Sequence, residues 1–389
     1  MTSTGPEHPS QPHPAEPAPG AQPAPEWQQA AEVPGQPAQP QYAWAQPAVQ
    51  LQTVETEPLE YHRLLRGVQG YTWWKPLLLL LLSGVYFGVL TVLITFIFIP
   101  IGMVFDPSYF TDVATGAAEI IDTQRPVSVA LSMVSIIIMI PAVLLAMLSL
   151  GTRPVGRVWS VAARMRWGLL GKLFGAAVLA VIAMNLVGMG VEILLDPTIV
   201  STPAAGETPE FNATAALWSL ALIIVLVPFQ ATAEEVVFRG LFMQVLGAWL
   251  KNPWFAILIP TVGFALAHIY DFWGLAAVGL MGGVAAWLTW RTGGLEAAIA
   301  IHVVNNLIAF GLMTAGVGGS TAQTAESGGL GSLIGEIAGL GLFIWLTLRV
   351  VSRDRHGRTR IDLVQRAVPI APMPAPQPGT PQGWTGGAA

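Results

Sequence analysis

Eight apolar runs dominate the chain, and they decide what it can become. They cover roughly 77–105, 127–150, 169–195, 214–250, 254–270, 273–290, 294–313 and 331–350. A helix crossing the hydrocarbon core of a bilayer needs about 20 apolar residues. A backbone in lipid has no water to satisfy its N–H and C=O groups, so such runs fold as helices. With 53% hydrophobic and only 11% charged residues in 389, the composition departs from that of soluble domains, which carry about 25% charge. The expected fold is all-α, a polytopic membrane bundle of about eight transmembrane helices with disordered Pro-rich tails. The run 214–250 is too long for one upright span, at about 55 Å for 1.5 Å per residue. Pro228 is the expected kink or break within it.

The flanks differ in kind. Residues 1–58 are rich in Pro, Gln and Ala and contain no Lys or Arg. Such a segment buries too little apolar surface to offset its ordering entropy and is expected to be disordered. It lacks the basic start and apolar core of a signal peptide. The expected organisation is a tail over 1–58, three helices and loops over 59–213, and a core over 214–313. A loop and last helix over 314–350 follow, then a basic and finally Pro/Gly-rich tail over 351–389.

Lys and Arg set the expected orientation. Arg63, Arg66 and Lys75 precede the first run, Arg153, Arg157, Arg164 and Arg166 lie between the second and third, and Lys251 and Arg291 mark two short turns. Six more arginines, from Arg349 to Arg366, end or follow the last run. The alternate loops 106–126, 196–213 and 314–330 hold only Arg125. Eight spans place every basic loop on one side, so both termini are expected in the cytoplasm of a plasma-membrane, multi-pass protein. Trp73 and Trp74 beside Lys75 suit an interfacial anchor.

Against that apolar background the polar residues within the runs carry the functional signal, because ionisable groups in a membrane are costly. Three clusters stand out: Glu234, Glu235 and Arg239 in AEEVVFRG; His268 in GFALAH; and His302, Asn305 and Asn306 in IHVVNN. Glu235 and Arg239 are i and i+4 and can pair on one helix face, which lowers the cost of burying both. Glu234 is rotated by about 100° and is left free for other work. His302 and Asn306 share a face, as do Phe264 and His268, with Phe264 as a wall beside the imidazole. Asn305 is read as packing. Glu192, Asp196, Glu296 and Glu336 lie nearer span ends or loops and receive no role.

A carboxylate and an imidazole in a dry cavity can activate water as a general base. A second imidazole and an amide can donate to a developing oxyanion. The same Glu234, His268 and His302 could instead hold a divalent metal such as zinc, with a water position left open. There is no HExxH, which excludes a zincin. There is no cysteine either, which excludes disulfides and thiolate chemistry. Intramembrane Glu and His also build proton relays, so a proton-coupled transporter is a competing reading. A non-catalytic scaffold or immunity factor working through its tails is another.

The ordered set EEVVFRG, GFALAH and HVVNN resembles the EExxxR, FxxxH and HxxxN motifs of the intramembrane CAAX-protease and bacteriocin-processing (CPBP) family. That family includes the type II prenyl-protein endopeptidases and bacterial "Abi" proteins. The resemblance covers roughly 214–313. It implies an intramembrane endopeptidase, glutamate-type or metal-dependent, in which Glu234 and His268 activate water. It further implies that His302 and Asn306 form the oxyanion site while Glu235 and Arg239 hold the frame. The expected partners are the lipid bilayer and a peptide or protein substrate, with no nucleic acid. Counting along straight helices puts Glu234 about 25 Å, His268 about 22 Å and His302 about 12 Å from the nearest basic turn. Some departure from straight upright helices is needed to bring them to one depth.

Overall fold

The computed structural model describes residues 49–200, 211–317, 320–324, 329–354 and 356–369. Most of the expected tails lies outside that set. The chain opens with a strand β1 (Val49–Glu55) and a two-residue strand β2 (Leu59–Glu60), followed by a 3-10 turn over Tyr61–Gly67. Helices α1 (Lys75–Phe105), α2 (Tyr109–Thr115), α3 (Pro126–Ile137), α4 (Met139–Ser149) and α5 (Trp167–Leu195) come next. The core is built by α6 (Ala213–Glu235), a π-helical segment Val236–Phe242, α7 (Met243–Trp249), α8 (Pro253–Leu266), α9 (Phe272–Thr292) and α10 (Glu296–Thr314). Helix α11 (Leu330–Asp354) and strands β3 (Thr359–Arg360) and β4 (Leu363–Pro369) finish the described chain.

Among the described residues seven stretches are long and apolar enough to cross a membrane, so the protein is a multi-pass helical bundle. The eighth expected span, 254–270, is corrected: α8 has 14 residues, about 21 Å, against a hydrocarbon core of about 30 Å. Residues 267–271 join it to α9, where Asp271 caps α9 by accepting from the Gly274 N–H at 2.9 Å. The expected break at Pro228 is also corrected. Helix α6 runs through Pro228, whose carbonyl accepts from Thr232 Oγ1 at 2.6 Å. The irregularity falls further on, in the π-helical turn that contains Arg239. Single π turns inside α-helices are rare and mark functional sites.

The ends of the chain are more ordered than their composition suggests. Residues 49–55, expected in the N-terminal tail, form β1 and pair with β4; β2 pairs antiparallel with β3. These strands and the 3-10 turn make a cap over one end of the bundle. Arg157 is its buried centre, donating to Asp362 at 2.6 and 2.9 Å and to the carbonyls of Leu64 and Gly67. Helix α7 enters the same cap: Ala248 O accepts from Arg66 and Tyr71, and Gln244 donates to Arg157 O. The 37-residue stretch 213–249 therefore spends its last turns in the cap. That offset lets residues at unequal counts from their turns reach a common depth.

Candidate active site

The site is assembled where α6, α8, α9 and α10 pack together. Glu235 Oε1 accepts from Arg239 Nη1 at 2.9 Å and from His302 Nδ1 at 2.7 Å. Arg239 Nη2 donates to Gly282 O on α9 at 3.0 Å. On its other side the guanidinium carbon sits 4.3 Å from the Phe264 ring centre. Glu235 and Arg239 are 1% exposed and His302 is 3% exposed. The i,i+4 pair expected from spacing is thus present, and it does more than neutralise charge: it fixes one nitrogen of His302. The other nitrogen, Nε2, faces Glu234 Oε2 at 3.3 Å, and Glu234 keeps 13% exposure. Both acids of the EE pair meet one imidazole, from opposite edges of the ring.

Glu234 Oε2 is buried and has no hydrogen-bond partner, while Oε1 accepts from Gln230 Nε2 at 2.8 Å. Gln230 Oε1 in turn accepts from Asn306 Nδ2 at 3.2 Å. The carboxamide of Gln230 therefore ties Glu234 to Asn306. No role for Gln230 follows from its motif context. The available signal was its i,i+4 spacing to Glu234 in an otherwise apolar run, the pattern that singled out Glu235 and Arg239. Asn305 donates weakly to Asn306 at 3.4 Å.

His268 lies just past the end of α8. Its Nδ1 is 2.8 Å from Phe264 O. A carbonyl can only accept, so Nδ1 carries the proton and Nε2 of the neutral ring is an acceptor. Phe264 touches both imidazoles edge-on, with centroids 4.8 Å from His268 and 5.8 Å from His302. It is the wall expected from its spacing to His268, and also the floor under Arg239. Among the described residues no direct bond joins His268 to Glu234. The structure thus brings Glu234, Glu235, Arg239, His302, Asn306 and Gln230 into one bonded network, with His268 linked through Phe264.

Glu234, His268 and His302 are the residues that would hold a divalent metal such as zinc. Among the described residues no three His, Asp or Glu side chains are placed to hold one ion. Each imidazole is held at Nδ1, His302 by Glu235 and His268 by Phe264 O, which leaves Nε2 of both rings free, as in an oriented metal-ligating histidine. Glu296, given no role from sequence, is a fully buried partner of Arg166, with oxygens 2.8 and 2.6 Å from Nε and Nη2. That pair braces the start of α10 on the cap side of the site.

Residues 216–308 match the family described as type II CAAX prenyl endopeptidase, Rce1-like. A relative from Bacillus subtilis (strain 168), named uncharacterized protein YyaK, is 31% identical over 188 residues, 46% of this chain and 60% of the relative. The chain thus spans about three fifths of the length of that curated relative. No solved structure matches the chain. The matched residues include all three motifs and the whole bonded network. The segment 216–308, at the centre of a multi-pass membrane bundle, is thus similar to the family of type II CAAX prenyl endopeptidases, Rce1-like.

Proposed function

We propose that the chain is an intramembrane endopeptidase that hydrolyses a peptide bond of a membrane-associated substrate with a water activated by Glu234 and His268. The observation that carries this reading is Glu234 Oε2, buried without a partner and 3.3 Å from an imidazole that Glu235 holds in place. A desolvated, positioned carboxylate beside an imidazole is the equipment of a general base. His268, protonated at Nδ1, offers the Nε2 lone pair to the same water. As the tetrahedral intermediate forms, His302 Nε2–H and the Asn306 amide donate to its oxyanion. Glu235 and Arg239 keep His302 oriented. The proton taken from water then passes to the leaving amine.

The plasma membrane is the proposed site of action, with both termini in the cytoplasm. The cap supports that orientation, since Arg66, Arg157, Arg166 and Arg360 all make their bonds at one end of the bundle.

The test compares new protein termini in membrane and secreted fractions of cells carrying the unaltered chain, a deletion, or Glu234→Gln at matched expression. Loss of the same termini in the deletion and in the Gln variant supports the proposal and identifies the substrate. A Gln variant that behaves as the unaltered chain, beside a deletion with a phenotype, makes the carboxylate structural and favours a scaffold. Ion flux in proteoliposomes without cleavage favours a transporter.

A further inference from the structure

We infer that Glu336 is a proton-binding site in the membrane seam that α11 forms with α5 and α9. Its ligand is one proton: bound, it lets the seam close, and lost, it leaves a charge that drives α11 from α5. The site is separate from the Glu234 network and stands whether or not the chain is a peptidase.

Glu336 receives no role from sequence because it lies near the start of the last span. The structure buries it. The residue is 7% exposed, and its Oε1 is enclosed with no hydrogen-bond partner. Among the described residues no hydrogen bond or ion pair reaches the carboxyl. Glu336 belongs to the buried stripe Glu336, Leu340, Phe343 and Thr347 of α11. Leu340 and Phe343 share one apolar core with Val181 and Met184 of α5 and Leu288 of α9.

The seam admits little else. Helix α11 packs along α5 and α9, and it meets α5 through glycines. A Cβ at Gly339 would lie 2.7 Å from Ala180 O, and one at Gly335, the residue before Glu336, would collide with Met184 O. Backbones this close leave no gap on that side for a counter-ion.

No counter-charge is at hand. The charged side chains of α5 are Lys172 and Glu192, and α9 has only Arg291. Lys172 is taken by Asp354 at 2.8 Å, at the far end of α11. Arg291 lies in the last turn of α9, next to the Gly293 turn that Arg358 covers. Arg349 and Arg353 of α11 itself are about 20 and 26 Å further along the helix at 1.5 Å per residue. Glu192 is another acid, and it accepts at 2.8 Å from the N–H of Gly331. An ionised carboxylate held away from water without a partner is costly, and such a group keeps its proton instead.

Three measurements on the full chain test this. A lipid-soluble carbodiimide reacts with carboxyls that hold a proton in apolar surroundings. At pH 8 it is expected to modify the peptide containing Glu336 in the unaltered chain and to spare it in Glu336→Gln. The absence of native cysteine allows spin labels at Leu186→Cys on α5 and Ile337→Cys on α11, both exposed positions. In lipid vesicles their separation is expected to widen as pH rises from 6 to 9, and to stay constant once Glu336→Gln is added. Unfolding midpoints in detergent give the third reading. The unfolded chain gives up this proton above about pH 4.3, the value of a solvated glutamate. The uncharged Glu336→Gln variant is therefore expected to be the more stable at pH 8, with the gap narrowing at pH 5. A Glu336 that stays unmodified at pH 8, or a Glu336→Gln variant less stable than the unaltered chain at both pH values, overturns the inference, because either shows a carboxylate already compensated. A separation that ignores pH overturns it as well.

Discussion

Arg239 lies with its guanidinium carbon 4.3 Å from the centre of the Phe264 ring while Nη1 donates to Glu235 at 2.9 Å. The flat cation is held between a carboxylate, a carbonyl and an aromatic face. This geometry suits the planar fork of arginine and not a lysine ammonium. Arg239→Lys is therefore expected to behave nearly as badly as Arg239→Ala. Truncation leaves the buried Glu235 with only the His302 imidazole as partner and costs about 3–5 kcal/mol. Thermal unfolding in detergent reads the loss, and an Arg239→Lys variant with unchanged stability would refute the stacking argument.

Glu234→Gln preserves shape and removes the basic oxygen. Cleavage is expected to fall by about 10²–10⁴-fold, the usual contribution of a general base, with thermal stability nearly unchanged. Turnover of the substrate identified by the terminus comparison, reconstituted with the purified variant, measures this. A large loss of stability would show that Glu234 is a packing group.

Gly282 offers a steric test. A Cβ there would lie 2.9 Å from both Arg239 Nη2 and Phe264 Cδ1. Both neighbours are locked in place, so Gly282→Ala is expected to cost about 1–3 kcal/mol by overpacking and to lower turnover by displacing the floor of the site. Gly283→Ala, which meets only Thr261 Cγ2 at an ordinary 3.6 Å, is the matched control and is expected to be mild.

Gln230 bridges Glu234 and Asn306 with the two ends of one carboxamide. Gln230→Leu removes both bonds. Its expected effect is on turnover more than on substrate affinity, because it loosens groups that meet the reacting centre without removing any of them. An equal loss in Gln230→Leu and Gln230→Ala, with KM unchanged, is the expected pattern. A change confined to KM would place Gln230 in substrate binding.

His62, in the cap and outside the spans, gives a pH signature. Burial holds its imidazole below the usual value of 6.5, ahead of the opposing effect of its bond to Lys251 O. The folded chain thus refuses a proton that the unfolded chain takes. Above about pH 6.5 both forms are neutral and His62 is indifferent to pH. As pH falls below that value the unfolded state gains the proton first, and stability declines until the folded-state value is passed. Unfolding midpoints at pH 7.5 and 5.5 should differ, and His62→Gln should narrow the gap.

How legible all this is in the sequence depends on range. Spacing along one helix exposes the Glu235–Arg239 pair, the shared face of His302 and Asn306, and Phe264 beside His268, because those contacts lie within one turn. The meeting of Glu234 and Glu235 on opposite edges of His302 joins residues 67 and 68 positions apart, and no local period reports it. Composition likewise marks 49–58 as tail, yet β1 finds its partner in β4. Helix α8 reads as a span because its apolar run continues past Leu266 to Ile269; the turn before the Asp271 cap ends it early. The notch that admits Arg239 and Phe264 at Gly282 is invisible in a sequence where MGGV could be any membrane helix.

The Arg157–Asp362 pair bears on the order in which the molecule is made. Its partners are 205 residues apart, and at roughly 5–20 residues per second the ribosome needs about 10–40 s to supply the second after the first. Within that interval every helix of the site is synthesised while the arginine beneath them lacks its carboxylate. The bundle is thus inserted first and locked last, by a short stretch that follows the final helix. A tag, a stalled ribosome or a protease acting on that stretch would strike at the closing step of maturation, and a catalytic centre some 60 residues upstream, from Asn306 to Asp362, would register the injury.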